Sequence, residues 1–153
     1  MNNRIAILSD IHGDTRALEA VIADARALGA TEYWLLGDIL LPGPGREDLF
    51  ELLDAIPITA AVRGNWDDCV LEALDGEYGL EDPQEIQLLR LTQYLMEGLD
   101  PKRIDWLRSL PLVEKKVVSL ITFVIRYFYA NVYLGFHNSL VTITEGVGEE
   151  TIS

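Results

Sequence analysis

The sequence predicts an α/β fold on a parallel sheet. Short apolar runs at residues 4–9, 32–36 and 58–62 read as buried strands, and amphipathic segments at residues 15–28 and 46–55 separate them. Each strand ends within a few residues of a glycine. Strand–helix–strand repeats imply right-handed crossovers and parallel pairing.

Residues 4–9 (RIAILS) end at Asp10 and Gly13. In residues 15–28, Leu18, Val21, Ile22, Ala25 and Leu28 share one helical face, with Asp14 as the expected N-cap and Gly29 as the stop. Residues 32–36 (EYWLL) end at Gly37-Asp38, and residues 41–45 (LPGPG) form a loop. After the helix at 46–55, residues 58–62 (ITAAV) end at Arg63-Gly64-Asn65. Residues 82–98 read as a helix with Pro83 in its first position and Gly98 at its end. Residues 100–109 read as another, opened by Asp100-Pro101 and broken by Leu110-Pro111. From Val117 the pattern turns to β, with turns expected at Asn131, at Gly135 and at residues 146–148. The whole chain, residues 1–153, is expected to be a single domain with a divergent β-rich tail at 117–153.

Composition narrows the function. Apolar residues make up 49% of the chain and charged residues 24%, as in folded globular proteins. The formal charge is −13, and an acidic surface repels a phosphate backbone, so general nucleic-acid binding is not expected. A phosphate substrate remains compatible, because a bound divalent cation reverses the local field. The single cysteine, Cys69, forms no intrachain disulfide, which fits a cytoplasmic setting. The N-terminus does not read as a signal peptide. Residues 117–134 carry one charge, Arg126, but their Val, Ile, Phe, Tyr and Thr content favours a buried β segment over a membrane helix.

Ligands of open parallel sheets sit beyond the carboxyl ends of the strands, which is where Asp10, His12, Asp38 and Asn65 fall. Asp10 and His12, two residues apart in an extended turn, can hold one metal ion. The Asp38 carboxylate can bridge two cations, and the Asn65 amide oxygen is a hard ligand. A mixed Asp, His and Asn set suits Mn²⁺, Fe or Zn²⁺ better than an all-oxygen site would. Taken singly, each fragment also reads as a plain turn. Their order, three strands each ending in a potential ligand beside glycine, is what raises the metal reading.

Ser9-Asp10-Ile11-His12-Gly13-Asp14, then Leu36-Gly37-Asp38-Ile39, then Arg63-Gly64-Asn65-Trp66-Asp67 resemble the first three signature blocks of the calcineurin-like metallophosphoesterases. Leu18-Glu19-Ala20-Val21 and Pro42-Gly43-Pro44 resemble its small bacterial branch, and the similarity covers about residues 4 to 115. The resemblance implies a β-sandwich flanked by helices, in a four-layer αββα arrangement, with two metal ions at the strand ends. It implies that Asp10 and His12 bind the first metal, that Asp38 bridges both and that Asn65 binds the second. Manganese is the expected ion, with Fe, Zn²⁺ or Ni²⁺ as alternatives. The implied activity is hydrolysis of a phosphate mono- or diester by a metal-activated water, the two ions clamping the ester. The substrate would be a phosphate-ester small molecule or a phosphoprotein, and the chain is expected to stay off membranes and to form a homo-oligomer. Arg63 could contact an equatorial phosphate oxygen, or be a solvated arginine paired with an acid.

The sequence departs from the family pattern twice. Trp66 stands where the family usually has a histidine that assists the leaving group, and an indole has no proton to give at a useful pKa. The family's later histidine and its Gly-His-x-His block are absent: the only histidines are His12 and His137. His137, after an apolar run, is the candidate stand-in ligand, against its reading as an ordinary surface residue. The tail thus reads as truncated or aberrant, from a truncated, frameshifted or fused product or from a divergent subgroup. A non-catalytic or regulatory remnant with an incomplete metal site is the competing reading.

Overall fold

The computed structural model describes residues 4–118, 121–126 and 144–146. Three parallel strands, β1 (Ile5–Leu8), β2 (Glu32–Leu35) and β3 (Ile58–Ala61), form a sheet in the order β1-β2-β3. Ile5 pairs with Glu32 and Leu8 with Leu35. Between β2 and β3 the register slips at Tyr33/Trp34, so that Tyr33 faces Ile58 and Trp34 faces Ala60. The helices α1 (Thr15–Ala27) and α2 (Glu47–Asp54) are the two crossovers. Then come α3 (Asn65–Asp75), α4 (Pro83–Met96) and α5 (Pro101–Ser109). The chain returns as an antiparallel sheet of β4 (Val113–Val118), β5 (Ile121–Arg126) and β6 (Thr144–Gly146), with Val113 opposite Arg126 and Thr122 opposite Gly146.

The mixed α/β architecture read from the sequence is present, with parallel sheet and helices in the expected order. Element ends agree to within a residue or two, and the caps explain why. The Asp14 carboxylate accepts from the Ala17 N–H at 2.9 Å, and Gly29 sits at φ +81 just past the end of α1. Asp82 and Asp100 cap α4 and α5 from the residue before each proline.

Three local expectations are corrected. Residues 65–75 form α3, a helix that the Gly-Asn turn signal concealed; it ends on Gly76 at φ +80. The β pattern begins at Val113, four residues before Val117, because Glu114, Lys115 and Lys116 are strand residues despite their charge. Gly146 is the last residue of β6 and not the start of a turn. The turns expected at Asn131 and Gly135 lie outside the described residues, as do Gly148 and most of 117–134.

β2 is central and buried on both faces, hence its near-continuous apolar sequence. Tyr33 and Leu35 face the helices, packing with Leu18 and Ile22 of α1, Leu49, Phe50 and Leu53 of α2, Val70 of α3 and Leu107 of α5. Trp34 and Leu36 face the opposite way, with Ala60, Val62 and Ile5. The two sheets are joined at the β3 edge, where the Glu114 carboxylate accepts from the Ala61 N–H at 3.1 Å and the Arg63 N–H donates to the Pro111 carbonyl at 2.9 Å. Among the described residues, no helix is long and apolar enough to cross a membrane.

Candidate metal centre

The site is built where the chain leaves β1, β2 and β3. Asp10, His12 and Asp38 all adopt left-handed backbone angles, at φ +56, +50 and +54, and no other described residue except glycine does so. Such angles cost a non-glycine residue of order 1 kcal/mol or more and persist only where the surroundings impose them. Here the imposition is a ladder of backbone hydrogen bonds continuing past the sheet: the Asp10 N–H donates to Gly37 O (3.2 Å), His12 to Asp38 O (2.9 Å) and Gly13 to Ile39 O (2.9 Å). The loop at 41–45 locks the ladder from outside, the Gly43 N–H donating to His12 O at 2.9 Å and Gly45 to Gly13 O at 2.8 Å. That crossing admits no side chain, since a Cβ on Gly43 would lie 2.0 Å from His12 O.

The ladder brings together the three ionisable groups expected from the sequence. One ligand-type atom from each of Asp10, His12 and Asp38 lies within 4.8 Å of the others. The His12 Nε2 is 3.7 Å from Asp10 Oδ1 and 3.8 Å from Asp38 Oδ2. Asp38 is 1% exposed, whereas Asp10 and His12 are about a third exposed and open the cluster to solvent. The His12 Nδ1 faces the Leu41 carbonyl at 2.5 Å, and because a carbonyl only accepts, the proton sits on Nδ1. A neutral ring with this tautomer keeps its lone pair on Nε2, the nitrogen nearest the two carboxylates. This ring-to-carbonyl arrangement is how metal-binding histidines are commonly oriented.

Asn65 opens α3 beside the cluster. Its neighbours on both sides touch Asp38: the Trp66 N–H donates to Asp38 Oδ1 at 2.9 Å, and Gly64 packs so closely that a Cβ there would lie 2.3 Å from the same oxygen. The Trp66 ring meets the His12 ring edge-on, with centroids 5.9 Å apart. Arg63 is occupied: its Nε donates to Asp68 at 2.5 Å and a terminal nitrogen donates to the Arg108 carbonyl at 3.2 Å. His137 lies outside the described residues. A cavity of about 900 Å³ adjoins the cluster, lined by residues 10–17, 42–45 and Asp48. Another, of about 610 Å³, runs along β3 between α2 and α5 and includes none of the cluster residues.

Two contributors were not singled out by sequence reasoning. The Leu41 carbonyl is invisible to it because any residue supplies one. Asp67 is fully buried, and its carboxylate accepts from the N–H groups of Asp38, Ile39 and Gly64. Burial pushes the Asp67 carboxyl up to about 6, while the three donors pull the other way. The signal that could have found it is its place in the first turn of a helix after Gly64, where an acid reaches back to an N-terminal N–H.

Two carboxylates and an oriented imidazole at the carboxyl ends of a parallel sheet have the donor chemistry of a divalent-cation centre. The family model for calcineurin-like phosphoesterases matches residues 3–143, and the chain belongs to that family. An uncharacterized protein of Methanocaldococcus jannaschii is 32% identical over 117 residues, covering 74% of this chain and 44% of that protein. The crystal structure of a metallophosphoesterase from Sphaerobacter thermophilus superposes with a TM-score of 0.53 at 30% identity, over 77% of this chain and 44% of that one. The chain thus spans less than half the length of each. The family match runs to residue 143, beyond residue 115, where the recognisable motifs fade.

Proposed function

We propose that the chain is a metal-dependent phosphoesterase that hydrolyses a phosphate mono- or diester at the Asp10–His12–Asp38 cluster. The observation that carries this reading is the cluster itself: three ligand-type atoms within 4.8 Å, on three left-handed residues of a chain that belongs to a phosphoesterase family. Such backbone angles at every member of a polar cluster are characteristic of functional sites.

The donor set fits a divalent cation. Asp10 and Asp38 would supply anionic oxygens, His12 would supply Nε2, and Asn65, the first residue of α3, would add a neutral oxygen. Manganese suits this mixed oxygen and nitrogen set, with iron, zinc and nickel as competitors. A bound cation would supply Lewis acidity toward the phosphate and lower the pKa of a water beside it. The chain's own part is to hold the carboxylates and imidazole in place, with Asp10 and His12 lining the adjoining cavity and Asp38 buried behind them. Trp66 packs edge-on against the His12 ring and offers one indole donor, so it stands beside the cluster without delivering a proton to a leaving group. Arg63 can reach a phosphate only by giving up Asp68 and the Arg108 carbonyl. In this reading His137 is a further ligand, the substrate is a small phosphate ester or a phosphoprotein, and the site is cytoplasmic.

The test is elemental analysis of the purified 153-residue chain paired with hydrolysis of an aryl phosphate in added Mn²⁺. Bound metal with turnover that a chelator abolishes is the expected result. A folded chain that holds metal and does not turn over would establish the competing reading, a regulatory remnant; one that binds no metal would remove the metal centre altogether.

A further inference from the structure

We propose that Asp67 is a positioning residue for the metal centre: its buried carboxylate gathers three backbone N–H groups and so sets the direction of the Asp38 side chain. The inference rests on the metal-centre reading and adds to it a residue that makes no contact with substrate or cation.

The geometry is specific. Asp67 Oδ2 accepts from the Asp38 N–H at 2.9 Å and from the Gly64 N–H at 3.0 Å, and Oδ1 accepts from the Ile39 N–H at 2.9 Å. One carboxylate therefore clamps the loop after β2 to the loop after β3. Two of its donors belong to Asp38, at φ +54, and to the residue that follows it. A left-handed aspartate released from such a clamp would relax toward the broadly allowed backbone regions, and its carboxylate would swing with it. The Asp38 carboxylate is held in turn by the Trp66 N–H, one residue before Asp67 on the same helical turn. The first turn of α3 thus grips Asp38 twice, by its backbone and by its side chain.

The arrangement is costly unless the carboxylate is fully used. Asp67 is 0% exposed, and a buried carboxylate without donors would be strongly unfavourable. Each N–H it accepts would otherwise be a buried orphan donor at a strand end. An amide in its place could accept through one oxygen only, and its own NH₂ would face donors. Asp67→Asn therefore removes the clamp with almost no change of volume.

The experiment uses the full chain and two readouts. In the metal-free protein, amide hydrogen exchange is compared between wild type and Asp67→Asn. The amides of Asp38, Ile39 and Gly64 are expected to lose at least tenfold in protection, while those of Leu35 and Val62 keep theirs. Mn²⁺ affinity is then measured by calorimetry for wild type, Asp67→Asn, Asp67→Glu and Asp38→Asn. Affinity is expected to fall about 10–100-fold in Asp67→Asn, the range typical for groups that orient metal ligands, and to recover in part in Asp67→Glu, which keeps two acceptor oxygens. Lost protection with Mn²⁺ affinity within twofold of wild type would make Asp67 a structural residue only and overturn the proposal. Should Asp67→Asn not fold, Asp67→Glu decides it, with wild-type affinity in that variant counting against any demand on carboxylate position. Wild type and Asp38→Asn binding Mn²⁺ equally would sink the metal-centre reading instead, and the exchange arm would still decide whether Asp67 holds the loop.

Discussion

Asp10, His12 and Asp38 are the residues whose backbone departs furthest from what their side chains prefer, and they are also the cluster. The three should not contribute equally. Asp38 is an anion 1% exposed between His12 and the start of α3, whereas Asn65 is neutral and partly exposed. Removing the Asp38 charge is therefore expected to weaken Mn²⁺ binding more than trimming the amide does. Titration of Asp38→Asn and Asn65→Ala checks this, and equal affinities would count against a central role for Asp38. Trp66 makes a second prediction. Its ring lies edge-on to His12, next to the cluster. Trp66→His would place a titratable group there, and general acid assistance is typically worth about 10²–10⁴-fold, so the aryl phosphatase rate of the metal-loaded chain should rise. An unchanged rate would mean that the leaving group needs no acid.

Among the elements, the sites of greatest constraint are the crossings between loops. Gly37 at φ +89 would carry a Cβ 2.3 Å from the Gly64 N, so the loops after β2 and β3 touch backbone to backbone. Gly37→Ala is expected to cost about 2 kcal/mol or more, combining a disfavoured angle with a steric overlap. Chemical denaturation measures it, and Mn²⁺ affinity should fall as well, because Gly37 O receives the Asp10 N–H. Far from the cluster, Arg103 ties α5 to α2. Its guanidinium bonds Glu47 at 2.8 Å and Asp54 at 2.7 Å while lying over the Phe50 ring. All three charged groups are partly exposed, so screening limits their worth, and Arg103→Met should cost only about 1 kcal/mol. Mn²⁺ affinity should stay unchanged in that variant, which separates the stability of the helical layer from the integrity of the site.

Over the whole molecule, the charge of −13 concentrates repulsion that a bound cation relieves locally. A cation that binds only the folded chain stabilises it by about 2.7 kcal/mol at a hundredfold excess over Kd. For a chain of this size, that is roughly a 5–10 °C rise in Tm. Differential scanning calorimetry with Mn²⁺ should show the rise in wild type, its reversal by a chelator, and its loss in Asp38→Asn. A rise that persisted in Asp38→Asn would place the stabilising ion elsewhere on this acidic surface.

The sequence by itself determined the order of elements and the identity of the cluster. Three apolar runs separated by amphipathic ones leave little choice but parallel strands with helical crossovers, and the residues just past each strand end, Asp10, Asp38 and Asn65, are readable because glycine marks the turn. It did not reveal α3, since Gly64-Asn65 is as good a turn signal as a helix start, and the helix depends on Val70 and Leu71 finding a core that residues distant in the chain supply. Nor did it reveal the charged strand β4, which is held by pairing with β5 and by the Glu114 contact to Ala61. Only the tertiary structure decided that Arg63 is held by Asp68, that the Leu41 carbonyl sets the His12 tautomer, and that Asp67 grips the Asp38 loop. The last two join a side chain to backbone groups of a distant segment. A backbone N–H or carbonyl is the same in nearly every residue, so no side-chain pattern announces which one a fold will bring to the site.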